Sequence, residues 1–154
     1  MSTMCFALKL LGLRSHSRKE LRQKLLKKGY TVESIEAVLE KLTLQGVLDD
    51  LMFGRELIKS RSRRKPSGKV KMHAELRKKG VPEIVIGDLL KEYESADLCF
   101  RAAEKKLGSL HGATDECRKK KLAVFLNNRG FEWQDIQKAV KHFFQECPDL
   151  ENFD

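Results

Sequence analysis

The sequence predicts an all-α chain built from three tandem three-helix, helix-turn-helix-like repeats, and three observations predict it. First, a pattern centred on Gly29 in LLKKGYTVESIEAVL returns at Gly80 in LRKKGVPEIVIGDLL and at Gly130 in LNNRGFEWQDIQKAV, at steps of 51 and 50 residues. Second, six offsets from that glycine carry apolar residues in all three copies. They are Leu21, Met72 and Leu122 at minus eight, Leu25, Leu76 and Leu126 at minus four, and Tyr30, Val81 and Phe131 at plus one. Ile35, Ile86 and Ile136 follow at plus six, Val38, Leu89 and Ala139 at plus nine, and Leu39, Leu90 and Val140 at plus ten. Third, these offsets trace one helical face before the glycine and another after it. Chance does not readily repeat six offsets at one step, so the pattern is an internal repeat.

The elements follow in order. FALKLLGL from Phe6 has helical periodicity, and Ser17-Arg18-Lys19-Glu20 then forms a capping box that opens the helix leading to Gly29. A glycine between two helices suits the left-handed position past a helix C-terminus, where a side chain costs on the order of 1 to 2 kcal/mol. Lys28, Lys79 and Arg129 precede the three glycines, where a cation interacts favourably with the negative end of the helix dipole. DLMFGRELIKSRSRR from Asp50 and ADLCFRAAEKKL from Ala96 supply the first helices of the second and third repeats. A further helix starts after Gly68, and Pro82 with Glu83 suits the first turn of the next. KPSGK, residues 65–69, and LGSLHGATDE, residues 107–116, read as loops. The expected units are residues 4–47, 48–95 and 96–145, followed by an acidic tail, 146–154. VKM at Val70 and VIG at Val85 sit inside helical periodicity, so no strand is expected.

Each unit of about 50 residues would be marginal alone and should lean on its neighbours. Lys and Arg outnumber Asp and Glu by 31 to 22, for a net charge of +9 and an isoelectric point near 9.5. That balance favours a polyanionic partner over a neutral small molecule. Cys5, Cys99, Cys117 and Cys147 form no C-x-x-C and read as free thiols of a reducing compartment. Charge interrupts every apolar run well before the roughly 20 residues a membrane span needs, so no membrane partner is expected. Residues 1–19 hold Lys9, Arg14, Arg18 and Lys19 and no acid. This is the composition of an organelle transit peptide and equally of an amphipathic basic helix.

The strongest candidate site is KSRSRRKPSGKVKMHAELRKK, Lys59 to Lys79, with ten basic residues against the single acid Glu75. Arg61, Arg63, Arg64, Lys65, Lys69 and Lys71 would surround one loop and could follow a phosphate backbone, with Arg77, Lys78 and Lys79 further along. A second run on the equivalent helix of the first repeat includes Arg22 and Lys24, and a third spans Arg118 to Lys121. Such a distribution makes an extended, curved footprint rather than a point site. The bland alternative for each is a solvated charged face. Phe53, Phe131 and Trp133 could stack on bases, but their helical offsets place them in the core. Asp49 and Asp50 suit an N-cap, and either could pair with a cation of the basic region. The sequence has no G-x-x-x-x-G-K-[ST] and no G-x-G-x-x-G. His16, His73, His111 and His142 are too dispersed for a zinc set. No enzyme activity, cofactor or metal is expected.

GVLDDLMFGRELIKSRSRRKPSGKVKMHAELRKKG, residues 46–80, resembles the core signature of the RecX regulators: a Leu-Asp-Asp triplet, a helix ending in a basic run, a glycine, then Glu-Leu and a Lys-Gly turn. ALKLLGLRSHSRKELRQKLLKKGY before it and KKKLAVFLNNRGFEWQDIQKAV after it look like the family's first and third units. Gly54 stands where an alanine is usual in the family, and Met72 where a branched aliphatic is common. The resemblance implies an elongated, curved molecule that binds the RecA recombinase filament on single-stranded DNA. It also implies that the molecule modulates, usually inhibits, ATP hydrolysis and strand exchange. The partners it implies are that filament and single-stranded or double-stranded DNA, met by a monomer in the cytoplasm at the nucleoid. It counts against the transit peptide, because residues 7–14 become the family's first helix. It assigns the filament contact to Arg61, Arg63, Arg64, Lys65, Lys69 and Lys71, with Asp49, Asp50, Gly29, Gly80 and Gly130 holding shape. A general DNA-binding helical protein without recombinase specificity is the alternative.

Overall fold

The computed structural model describes residues 1–144. Among them are nine helices and no strand. In chain order they are α1 (Thr3–Leu13), α2 (Arg18–Lys28), α3 (Val32–Leu44), α4 (Asp50–Arg64), α5 (Lys69–Lys78), α6 (Glu83–Lys91), α7 (Ser95–Ser109), α8 (Asp115–Asn128) and α9 (Trp133–Phe143). The expected acidic tail, residue 145 and Cys147 lie outside the described residues.

Local chemistry explains the boundaries. The Ser2, Thr31 and Thr114 side chains accept backbone N–H groups at the starts of α1, α3 and α8, and Ser17 with Glu20 completes the capping box of α2. Asp49 Oδ1 accepts from the Leu51 and Met52 N–H groups at the start of α4. Asp50 Oδ1 accepts from the Arg18 N–H at 2.9 Å, so this carboxylate meets the backbone at the head of α2 rather than a basic side chain. Pro82 is the residue before α6, one position earlier than expected. The 107–116 loop is shorter than expected. Leu107, Gly108 and Ser109 are still helical, and Ser109 Oγ closes the last turn by donating to the Lys106 carbonyl at 2.7 Å.

The chain forms two compact units, one of Met1–Lys59 with His73–Glu92, the other of Ser60–Met72 with Tyr93 onward. In the first, Leu21, Leu25, Ile35, Leu39, Leu42 and Leu48 close around Ala7, with Met4, Phe6, Leu10 and Tyr30 at the margin. Each such leucine or isoleucine contributes roughly 1.5 to 3 kcal/mol by leaving water. Ala7 ties α1 into this core, and residues 3–13 are part of the folded body. The same unit buries Phe53, Leu76, Val81, Ile86 and Leu89. A Cβ on Gly54 would collide with Leu89 Cδ1, so the absence of a side chain lets α4 lie close to α6. In the second unit α7, α8 and α9 pack on one another, burying Leu98, Cys99, Ala102, Ala103, Leu122, Leu126, Phe131, Ile136 and Ala139. Ser95 Oγ donates to Asp135 Oδ2 at 2.7 Å and pins α7 to α9.

All six repeated offsets are buried or half-buried in all three copies. Phe53 and Phe131 are core residues, but Trp133, expected in the core, is 64% exposed. It opens α9 one turn before the first buried residue, Ile136, and Val32 at the same offset in the first repeat is exposed as well.

Candidate nucleic-acid interface

The site is built around the turn that joins α4 to α5. Lys65 N–H closes the last turn of α4 on the Arg61 carbonyl, and Ser67 Oγ donates to the Lys65 carbonyl at 3.0 Å. The turn is then fastened from outside. Tyr93 Oη donates to the Ser67 carbonyl at 2.5 Å, Gly68 N–H to the Arg129 carbonyl at 2.9 Å, and Arg129 Nη1 to the Pro66 carbonyl at 2.9 Å. Pro66, Ser67 and Gly68 are buried, and a Cβ on Gly68 would strike the Gly130 carbonyl and Phe131 Cα. A buried, hydrogen-bonded backbone thus carries a rim of cations. Arg63, Arg64, Lys65 and Lys71 are exposed, while Arg61 and Lys69 are half-buried.

These six residues lie together in the second unit. Arg63, Arg64, Lys65, Lys69 and Lys71 have no salt bridge among the described residues, so no described carboxylate cancels their charge. Phosphates are the anions such a rim suits, through counterion release and charge-assisted hydrogen bonds.

The remaining candidates, Arg77, Lys78, Lys79, Arg22 and Lys24, belong to the first unit, where several are already engaged. Arg22 Nε lies 2.6 Å from Glu36 Oε1, with Arg18 Nη2 3.7 Å from the other oxygen. The hydrogen bond from Arg22 holds the Glu36 carboxyl below its ordinary range. Arg77 pairs with Glu83 at 3.5 Å, and His73 Nε2 meets the same carboxylate at 2.9 Å. Lys24 Nζ donates to His16 Nε2 at 2.8 Å, and burial lowers the lysine's pKa from its ordinary value. Lys24 therefore braces the fold as well as carrying charge. Lys78 is exposed, and the Lys79 carbonyl accepts from Ser17 Oγ at 2.5 Å.

Gly29, Gly80 and Gly130 have φ of 104°, 94° and 83°, the left-handed conformation that closes a helix. Gly80 and Gly130 also permit close approach. A Cβ on Gly80 would lie 2.5 Å from Lys19 Cβ, and one on Gly130 2.7 Å from the Lys71 backbone nitrogen, whereas one on Gly29 meets nothing within 4 Å. Each unit thus repeats one contact, the start of a central helix seated on the glycine end of the next repeat's central helix.

Lys105 and Lys106 on α7 were not singled out from the sequence, although the adjacent pair in AAEKKL was a visible signal. Lys106 Nζ lies 5.0 Å from the centre of the Phe125 ring and the Arg129 guanidinium 4.6 Å from it. Cys99 is buried, and desolvation, with a lesser effect of Asp135, pushes its thiol pKa up to about 12, which leaves it an inert core group. Among the described residues no group of His, Cys, Asp or Glu side chains could hold a metal, and no helix is long and apolar enough to cross a membrane.

Family comparisons find three successive matches along the chain. Residues 6–42 match the RecX first three-helix domain, 49–90 the second and 92–140 the third. The chain is 66% identical over 138 residues to the regulatory protein RecX of Pelodictyon phaeoclathratiforme, spanning 90% of this chain and 86% of that one. It is 53% identical over 147 residues to its counterpart in Chlorobium limicola, spanning 96% and 92%. The crystal structure of RecX from Lactobacillus salivarius shares the fold at a TM-score of 0.84 and 19% identity, over 94% of this chain and 96% of that chain. The chain belongs to the RecX family of regulatory proteins, non-enzymatic modulators of the RecA recombinase.

Proposed function

We propose that this regulator binds the RecA filament assembled on single-stranded DNA and restrains its ATP hydrolysis and strand exchange, using the cationic turn after α4 against the phosphates. One observation carries this reading: Arg63, Arg64, Lys65, Lys69 and Lys71 stand without carboxylate partners among the described residues, around a turn whose backbone is buried and fastened. Holding five charges near one another costs self-repulsion unless a polyanion relieves it. Arg77, Lys78, Lys79, Arg22 and Lys24 serve as lesser contacts, and the regulator works in the cytoplasm at the nucleoid.

The test is RecA-dependent ATP hydrolysis on single-stranded DNA with the protein titrated in. Hydrolysis is expected to fall near one regulator per few recombinase protomers, and an unchanged rate at stoichiometric levels removes the reading. The triple variant R63E/R64E/K65E should lose the effect while its helical circular dichroism and thermal unfolding stay as in the parent. An effect on naked DNA alone, with none on the recombinase, would leave a general DNA-binding protein.

A further inference from the structure

The second unit contains a cavity of about 220 Å³ between the end of α7, α8 and the turn at residues 64–66. A single water requires only ~10–15 Å³ of such space, so the cavity has room for a group of phosphate size. Four cations line it, Arg64, Lys105, Lys106 and Arg129, with Ser109, and among the described residues no carboxylate does. None of the four has a salt bridge among the described residues.

Two of these cations are held in place before any ligand arrives. Arg129 is fixed by its bond to the Pro66 carbonyl and by the Phe125 ring, and Lys106 lies over the same ring. A ring flanked by two cations attracts both through its quadrupole and spares part of the ordering cost that binding would otherwise incur. Ala102 and Pro66, both buried, complete the apolar part of the lining.

We propose that this cavity binds a phosphodiester of a single nucleic-acid strand. The reading rests on the proposed function only in taking a nucleic acid as the partner. Continuity with neighbouring charge favours a strand over an isolated anion. On one side Arg64 belongs both to the cavity and to the rim of the turn. On the other, a shallower groove shares Lys106 and Phe125 with the cavity and adds Lys120 and Lys121, again with no carboxylate among the described residues. Adjoining cations that share Arg64, Lys106 and Phe125 suit the repeated charge of a polynucleotide, whereas an isolated anion would use one set and leave the others uncompensated.

The experiment measures fluorescence anisotropy of a labelled oligothymidylate with the full chain, without recombinase, across a salt series. Lys105→Ala with Lys106→Ala should weaken binding about tenfold and reduce the log–log salt slope by about 1.4, at ~0.7 per phosphate contact on a single strand. Lys106→Met keeps the aliphatic stem on Phe125 and should reproduce part of the loss, which separates charge from packing. Unchanged affinity and slope in both variants would overturn the proposal. So would displacement of the oligonucleotide by polyglutamate as readily as by unlabelled strand, which assigns the cavity to an acidic protein, or by inorganic phosphate at equal charge. A parent protein that leaves recombinase hydrolysis unchanged but meets these expectations would end the proposed function and keep the cavity.

Discussion

His16 is a buried imidazole set between two cationic side chains. Its Nδ1 donates to the Arg14 carbonyl at 2.8 Å, and its Nε2 receives the Lys24 ammonium at 2.8 Å, which requires the neutral ring. Burial, with the nearby Lys24 and Arg14 charges, lowers its pKa from the ordinary 6.5, opposed by the Arg14 carbonyl and Glu20. The unfolded chain therefore binds a proton at this residue more readily than the folded one. This contribution to stability is complete above 6.5, declines as pH falls through 6.5, and is gone below the lowered folded value. Urea unfolding at a series of pH values from 7.5 to about 5 should show this decline, and His16→Gln, which does not titrate, should flatten it. An identical slope in the variant would show that another group is responsible. Chain order gave no sign of this residue's task, because the Lys24 contact depends on how the capped start of α2 folds back on the preceding turn.

At the scale of the element, the central helices of the repeats show what a pattern can and cannot carry. The helical faces, the capping box at Ser17 and the left-handed glycines were legible, because each is a local requirement written at fixed spacing. The seating of α2 on Gly80 and of α5 on Gly130 was not, since close approach is a property of two segments far apart in the chain. Trp133 escaped for a related reason: helical spacing gives the face of a residue but not whether another element covers that turn. The same held at the site, where the basic run around Arg63 was visible but Lys105 and Lys106 join it only through folding. The difference between the glycines can be measured. Gly29→Ala carries only the left-handed strain, on the order of 1 to 2 kcal/mol. Gly80→Ala and Gly130→Ala add overpacking of about 1 to 3 kcal/mol, with Gly130 the more severe because backbone of Lys71, not only a flexible side chain, stands in the way. Equal losses in the three variants by urea unfolding would show that the seating adds nothing.

For the whole molecule, the net charge of +9 is less informative than where it is left uncancelled. In the first unit Glu20, Glu36 and Glu83 draw Arg14, Arg18, Arg22 and Arg77 into ion pairs. In the second, the five cations around the turn and the cavity lysines Lys105 and Lys106 have no such carboxylate partner among the described residues. Exposed ion pairs are weak, typically under about 1 kcal/mol, so Glu36 could in principle release its arginines to a phosphate, at the expense of leaving a carboxylate beside the strand. Those cations of the second unit have no such opposition among the described residues and should dominate the electrostatics of binding. If each engages one phosphate, the log–log dependence of oligonucleotide affinity on salt has a slope of about −5, at ~0.7 per contact. Lys105→Ala with Lys106→Ala should bring it near −3.5, and Arg22→Ala should leave it almost unchanged. A slope that responds to Arg22 as strongly as to the cavity lysines would mean that binding follows total charge, and that the pairing within the chain does not decide which cations meet the strand.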